Sequence, residues 1–224
     1  MDTDSARASW AEPILVTIAV AGPGLIPYQP PATGAIAWLA GSALQSFSQF
    51  TLLLVIIGLG RRLREYGVTK PSAKDAVVAA GVFAAMLCAA MVAAAVAPGA
   101  AAAPTAYGAS AGEATSAGPA AIVALSAGFA ISVAYREELF YRCYLLGALT
   151  GRGAGAVAAA AVSTGLFVAG HAYQGPAGML ASAIAGSALA AARLRGARLH
   201  ALAWGHAAYD LAVLIAGFGL AARA

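Results

Sequence analysis

The chain has 224 residues, 61% of them hydrophobic and 10% charged, with a formal net charge of +4 and a mean hydropathy of +0.79. A soluble domain carries roughly 25% charged residues, so this composition cannot clothe a water-facing surface. The basic residues sit in short clusters between apolar runs, which argues against a phosphate-binding face and a nucleic-acid partner and for the lipid bilayer as the surroundings.

Taken in chain order, the N-terminus with Asp2, Asp4, Arg7 and Glu12 lacks the basic start and cleavage site of a signal peptide, so the first apolar segment is expected to direct insertion. Apolar runs then cover about 13–28, 34–59, 76–97, 119–150, 154–173, 177–194 and 199–221, against a requirement of roughly 20 residues per span. Gly22, Pro23, Gly24 and Pro27 interrupt the first run, which reads as a broken or re-entrant helix. Gln45, Ser46, Ser48 and Gln49 put a polar patch on the second; interhelical hydrogen bonding is the leading reading and cavity lining the lesser one. Segment 98–118 is rich in Ala, Gly, Ser, Thr and Pro and reads as a flexible outer loop. The fourth run is too long for one straight span and predicts a tilted, kinked or interface-extended helix. Gly178, Ser182 and Gly186 recur every four residues and predict a helix-packing stripe. Cys88 and Cys143 stand alone in apolar segments and build no disulfide framework.

The expected fold is an all-α polytopic bundle of about seven spans, with six to eight as the range. It forms a single transmembrane domain over 1–224, in which 1–118 supplies N-terminal helices and the outer loop and 119–222 the motif-bearing helices. Arg61, Arg62, Arg64, Lys70 and Lys74, then Arg152, then Arg193, Arg195 and Arg198 occupy alternate loops, while 29–33, 98–118 and 173–176 hold no lysine or arginine. The positive-inside rule places the first set and the N-terminus in the cytoplasm, the C-terminus outside, and the chain in a cell inner (cytoplasmic) membrane.

Ionised side chains at the bilayer centre cost at least about 2.5 kcal/mol each. The fourth run nevertheless holds Arg136, Glu137, Glu138 and Arg142, the fifth ends near His171, and the last contains His206 and Asp210. Glu138 and Arg142 are four apart and can pair across one turn, whereas Glu137 is rotated about 100° away. Phe167 precedes His171 by four residues, as His206 precedes Asp210. Counted from the turn at 151–153, Glu137 and His171 fall at similar depths, about 20–27 Å; His206, only about eight residues past Arg198, falls shallower. A carboxylate beside two imidazoles points to water activation, with Glu137 as general base, the histidines positioning water or donating to an oxyanion, and Asp210 orienting a ring. Arg136 reads as a structural or cavity-edge residue, His200 as interfacial, and Tyr135, Tyr141, Tyr144 and Trp204 as packing.

Glu137-Glu138-Leu139-Phe140-Tyr141-Arg142 matches EExxxR, Phe167 to His171 matches FxxxH, and His206 to Asp210 matches HxxxN/D. In that order over about 131–215 these motifs resemble the CAAX-protease and bacteriocin-processing (CPBP/Abi) family of intramembrane endopeptidases. The resemblance implies a helical bundle with a cavity in the membrane. In it Glu137 activates water, His171 assists, His206 and Asp210 stabilise the oxyanion, and Glu138, Arg142 and Phe167 support the site. Asp210 departs from the commoner asparagine, and a carboxylate donates a hydrogen bond only when protonated.

The resemblance also implies a partner: a peptide or protein cut near the membrane, whether a prenylated tail, a bacteriocin or pheromone leader, or a sorting tail. The Ala- and Gly-rich, bacterial-looking composition leans towards a peptide or sorting tail. No cofactor is expected. Zinc held by Glu138, His171, His206 and Asp210 is the alternative, and the chain lacks an HExxH pair. Two other readings remain open: a non-catalytic immunity or peptide-binding membrane protein, and a proton-coupled transporter, against which the lack of inverted repeats weighs.

Overall fold

A run of apolar residues in lipid has no water to satisfy its backbone, and the α-helix is the local structure that pairs every N–H and C=O within one segment. A computed structural model of the chain describes residues 9–25, 34–60, 63–97 and 118–221. Among them are seven helices: α1 Ala11–Leu25, α2 Gly34–Leu59, α3 Ala73–Val96, α4 Pro119–Thr150, α5 Ala156–Gly170, α6 Gly175–Leu194 and α7 Leu199–Ala221. The loop 29–33 and all of 98–118 except Gly118 lie outside the described residues.

Five helices, α2, α3, α4, α6 and α7, are long and apolar enough to cross a membrane. This narrows the expectation of about seven spans. The two other apolar runs do form helices, but α1 and α5 have 15 residues each. At 1.5 Å per residue α5 reaches about 22 Å, short of a hydrocarbon core of about 30 Å, while α1 is described as far as Leu25. Pro23 falls in the last turn of α1, where the lost N–H weakens continuation. α5 ends as His171 leaves helical geometry at φ −101°, ψ 8°; one 3₁₀ turn, Ala172–Gln174, and Gly175 at φ +72° then reverse the chain into α6. That φ favours glycine.

The overlong fourth run is a single 32-residue helix with a wide stretch inside it. Glu138–Leu145 is π-helical, between α-helical Pro119–Glu137 and Leu146–Thr150. Single π turns are common at functional sites because they reset which side chains face inward. Here all eight residues are buried, and Ser163 of α5 donates to the Tyr141 carbonyl at 2.8 Å, tying the stretch to its neighbour.

The basic loops and the chain's start gather at one end of the bundle. Arg152 donates to the Ser9 carbonyl at 2.7 Å, Arg193 to the Glu65 carbonyl at 3.2 Å, and the Leu199 N–H to the Gly67 carbonyl at 3.3 Å. Arg198 forks onto Asp75, Nε to Oδ1 at 3.0 Å and Nη2 to Oδ2 at 2.5 Å. Asp75 also caps the start of α3 by accepting the Ser72 N–H at 2.7 Å, a reciprocal N-terminal cap. Large apolar side chains such as Leu15, Ile18, Leu44, Val77 and Met91 point outward, each more than 60% exposed. A continuous apolar exterior of this kind suits lipid contact. The chain is therefore a multi-pass membrane protein.

Helix α3 packs against α6 and α7, α2 against α4, and α4 against α7. Gly205 permits the α3–α7 approach: a Cβ there would lie 2.5 Å from the Ala79 carbonyl oxygen and 2.6 Å from Val82 Cβ. Backbone cannot swing aside as a side-chain tip can, so Gly205→Ala should cost about 1–3 kcal/mol by overpacking. Gly81→Ala, with nothing within 4 Å of the new Cβ, should be neutral or stabilising, since alanine is about 1 kcal/mol the better helix former. Thermal unfolding of the two variants in the same detergent checks both; equal midpoints would refute the close-crossing account.

Candidate active site

Three helices, α4, α5 and α7, carry charged or imidazole groups into one buried cluster. On α4, the Arg136 Nη2 donates to Glu137 Oε1 at 2.5 Å, and Glu137 Oε2 has no hydrogen-bond partner among the described residues. The next residue, Glu138, is fully buried and accepts from His206 Nδ1 at 2.7 Å. Arg142 Nη1 lies 3.4 Å from the same Glu138 oxygen, and its guanidinium sits 4.0 Å from the centre of the Phe167 ring, a cation–π contact.

Adjacent helical residues ordinarily face different directions. Glu137 and Glu138 instead bracket one ring, with His206 Nδ1 on Glu138 and His206 Nε2 3.8 Å from Glu137 Oε2. Asp210 Oδ2 also approaches Nε2, at 3.5 Å. The π stretch begins at Glu138, between the α-helical turn that presents Glu137 and the residues that follow.

His171, at the end of α5, holds its Nδ1 2.7 Å from the Phe167 carbonyl. A carbonyl only accepts, so Nδ1 carries the proton and Nε2 of the neutral ring keeps a lone pair. Phe167 lies between, 4.3 Å from the His171 ring and in edge contact with Tyr141 and His206. Gly186 of the small-residue stripe makes room: a Cβ there would lie 3.1 Å from Phe167 Cδ1 and 3.3 Å from Arg142 Nη2.

Glu137, His171, His206 and Asp210 share the wall of a cavity of about 350 Å³, with Arg136 at its edge. Glu138, Arg142 and Phe167 stand behind them. The ends of the two short helices complete one side, where Gly24 approaches Gly170.

The structure thus brings together Glu137, Glu138, Arg142, Phe167, His171, His206 and Asp210. Counting residues made His206 too shallow because it measured from the wrong level. Leu199 bonds to Gly67, and Tyr66 next to it packs on Gly147, so α7 starts about level with Gly147 and not with the turn at 151–153. Nine residues from Gly147 to Glu138 then stand beside seven from Leu199 to His206, about 13 and 10 Å at the α-helical rise.

Two features escaped the sequence reading. Arg136 is the direct partner of Glu137; a guanidinium beside an acid in an apolar run was the available signal. The second is a directed chain at the basic end of the bundle. Trp204 Nε1 donates to the Tyr135 hydroxyl at 2.9 Å, which donates to His200 Nδ1 at 2.8 Å, while His200 Nε2 donates to the Thr69 carbonyl at 2.8 Å. Tyr135, Trp204 and His200 therefore fasten α4, α7 and the loop before α3 through hydrogen bonds, beyond the packing and interfacial roles expected of them. The polar patch on α2 serves both roles: Gln49 donates to the Ala19 carbonyl of α1 at 3.2 Å and, with Gln45 and Ser46, lines the cavity, whereas Ser48 donates to the Leu44 carbonyl of its own helix.

Among the described residues, no group of three or more His, Cys, Asp or Glu side chains is placed to hold a metal ion. Of the residues considered for zinc, His171 and His206 have Nδ1 engaged by a carbonyl and by Glu138, and Glu138 has the Arg142 guanidinium 3.4 Å away.

Residues 119–212 match the family model of the type II CAAX prenyl endopeptidase Rce1-like proteins. The motif-bearing segment is similar to this family. No curated protein and no solved structure matches the chain. The family segment runs from the start of α4 into α7 and so contains EExxxR, FxxxH and HxxxD together. The proteins of that family are endopeptidases, which act on peptide substrates.

Proposed function

We propose that the chain hydrolyses a peptide bond of a membrane-associated substrate, with Glu137 as the base that activates water. The observation that carries this reading is that Glu137, whose Oε2 has no hydrogen-bond partner among the described residues, lines the same cavity as His171 and His206. Arg136 occupies Oε1, which leaves Oε2 as the proton acceptor. Water between Glu137 Oε2 and His171 Nε2 meets two acceptors, so both its hydrogens are engaged and its lone pairs point at the substrate carbonyl.

Attack forms the new carbon–oxygen bond as one water proton passes to Glu137. Collapse breaks the carbon–nitrogen bond, and the leaving amine takes that proton from Glu137.

The carbonyl oxygen becomes an anion during attack and needs a donor. In the buried cluster three carboxylates, Glu137, Glu138 and Asp210, face two guanidiniums, Arg136 and Arg142. Burying net charge is costly, and one further proton balances the cluster. Carried on His206 or exchanged with Asp210 across 3.5 Å, it supplies the oxyanion donor. In this scheme Asp210 replaces an asparagine's fixed N–H with a shared proton. Glu138 and Arg142 hold the His206 ring, and Phe167 holds Arg142.

Hydrolysis in this scheme proceeds without a metal, and the basic end of the bundle faces the cytoplasm of a bacterial inner membrane, as the loop charges favour. The test is mass spectrometry of candidate membrane peptides incubated with the purified chain in oxygen-18 water, with and without a chelator. One heavy oxygen should enter each new carboxyl terminus in both samples. Binding of peptides without any new terminus would favour an immunity or binding protein instead, and loss of products with chelator would overturn the metal-free scheme.

A further inference from the structure

The polar residues of α2 fall into two sets with different treatment. Ser48 and Thr51 face outward and satisfy themselves, donating to the Leu44 and Phe47 carbonyls of their own helix at 2.9 Å each. Ser42, Gln45, Ser46 and Gln49 follow the spacing i, i+3, i+4, i+7, which is one helical face, and all four line the cavity that holds Glu137. The Ser42 and Gln45 side chains make no hydrogen bond to any described residue. Gln49 commits its amide to α1 and keeps its carboxamide oxygen. Carboxamides and hydroxyls are costly in hydrocarbon unless partnered, so a face of them inside an apolar helix marks where a polar ligand lies.

We infer that this face of α2 is a binding strip for the main chain of an unwound substrate peptide, a reading that rests on the endopeptidase function proposed above. A peptide bond must leave helical structure to be attacked, and its N–H and C=O groups then have no partner in the bilayer. Carboxamides offer both donors and acceptors, matching a peptide backbone group for group. From Ser42 to Gln49 the helix rises about 10 Å, the length of about three extended residues at 3.3 Å each. The strip therefore recognises extended backbone, independent of side-chain identity, over a short stretch beside the scissile bond.

The test uses the full chain in lipid nanodiscs and a quenched-fluorescent peptide that the wild type cleaves, together with three versions carrying one backbone N-methyl group each near the cleaved bond. Gln45→Leu and Ser42→Ala should each raise KM about three- to tenfold, the loss of one hydrogen bond, and leave kcat within about twofold. Ser48→Ala and Thr51→Val should change neither. An N-methyl group that weakens wild-type turnover should have no further effect in the strip variant that lost its partner, a result that general loosening of the fold does not produce. Unchanged KM in both strip variants, or an N-methyl penalty identical in every protein, would overturn the inference.

A binding arm separates the two claims. Peptide affinity is measured for Glu137→Gln protein with and without Gln45→Leu. Strip-dependent binding by a protein that cleaves nothing even as wild type would support the strip and defeat the peptidase reading. Cleavage and binding that both ignore the strip would do the reverse.

Discussion

Glu137→Gln should lower kcat/KM for peptide cleavage by about 10²–10⁴-fold, the usual contribution of a positioned general base. Glutamine keeps the shape of the side chain and the oxygen that Arg136 bonds, but it cannot take a proton from water. The wild-type carboxylate is buried, with 7% exposure, and its partner Arg136 retains some access at 17%. Arg136 can therefore turn to the cavity, and the fold should survive. Thermal unfolding in detergent should shift by no more than about 1 kcal/mol, in the range of tolerated substitutions. Steady-state kinetics on one peptide gives the first number and calorimetry the second. Cleavage at the wild-type rate would remove Glu137 from the chemistry.

The largest stability effect should come from Arg142→Met. Arg142 is 1% exposed, and it lies between Glu138 at 3.4 Å and the Phe167 ring. Removing one member of a buried ion pair leaves the other uncompensated, at a cost of about 3–5 kcal/mol. Replacing both members is cheaper, because no orphaned charge remains. Glu138→Met with Arg142→Met should therefore be more stable than Arg142→Met alone, yet inactive, since His206 loses the acceptor on Nδ1. A double-mutant cycle on unfolding free energies reads this coupling directly. A single variant within about 1 kcal/mol of wild type, the size of an ordinary surface change, would show that the pair carries no such burden.

The seven residues that gather around the cavity were legible because charge inside an apolar run is rare and their spacing is helical. Glu138 with Arg142 and Phe167 with His171 needed only the four-residue repeat. The depth of His206 was not legible. It depends on where α7 starts, which the Leu199–Gly67 bond and the fit of Tyr66 on Gly147 decide. The role of Arg136 was hidden for a related reason. Neighbouring positions on a helix diverge, and only the long guanidinium at the start of the π stretch brings Arg136 onto Glu137. Nothing in Glu138–Leu145 spells a π-helix by residue type. Gly205 looked like any other glycine of an Ala- and Gly-rich chain, because what it touches lies on α3. The seven apolar runs did become seven helices. The run containing Pro23 and Pro27 was expected to be broken, but α1 continues through Gly22, Pro23 and Gly24 to Leu25, and Pro27 lies outside the described residues; nothing in 154–173 announced that α5 would stop at Gly170.

Helix α5, with 15 residues, is about 8 Å shorter than an ordinary hydrocarbon core. Val157 on it is well exposed, so a surrounding bilayer would meet too little protein on that flank. Lipid answers such mismatch by thinning locally. A dimple on that flank would bring headgroups and their hydration down towards Gly170. In the proposed hydrolysis such thinning would supply the water, and the cleavage rate should depend on the chain length of the surrounding lipid.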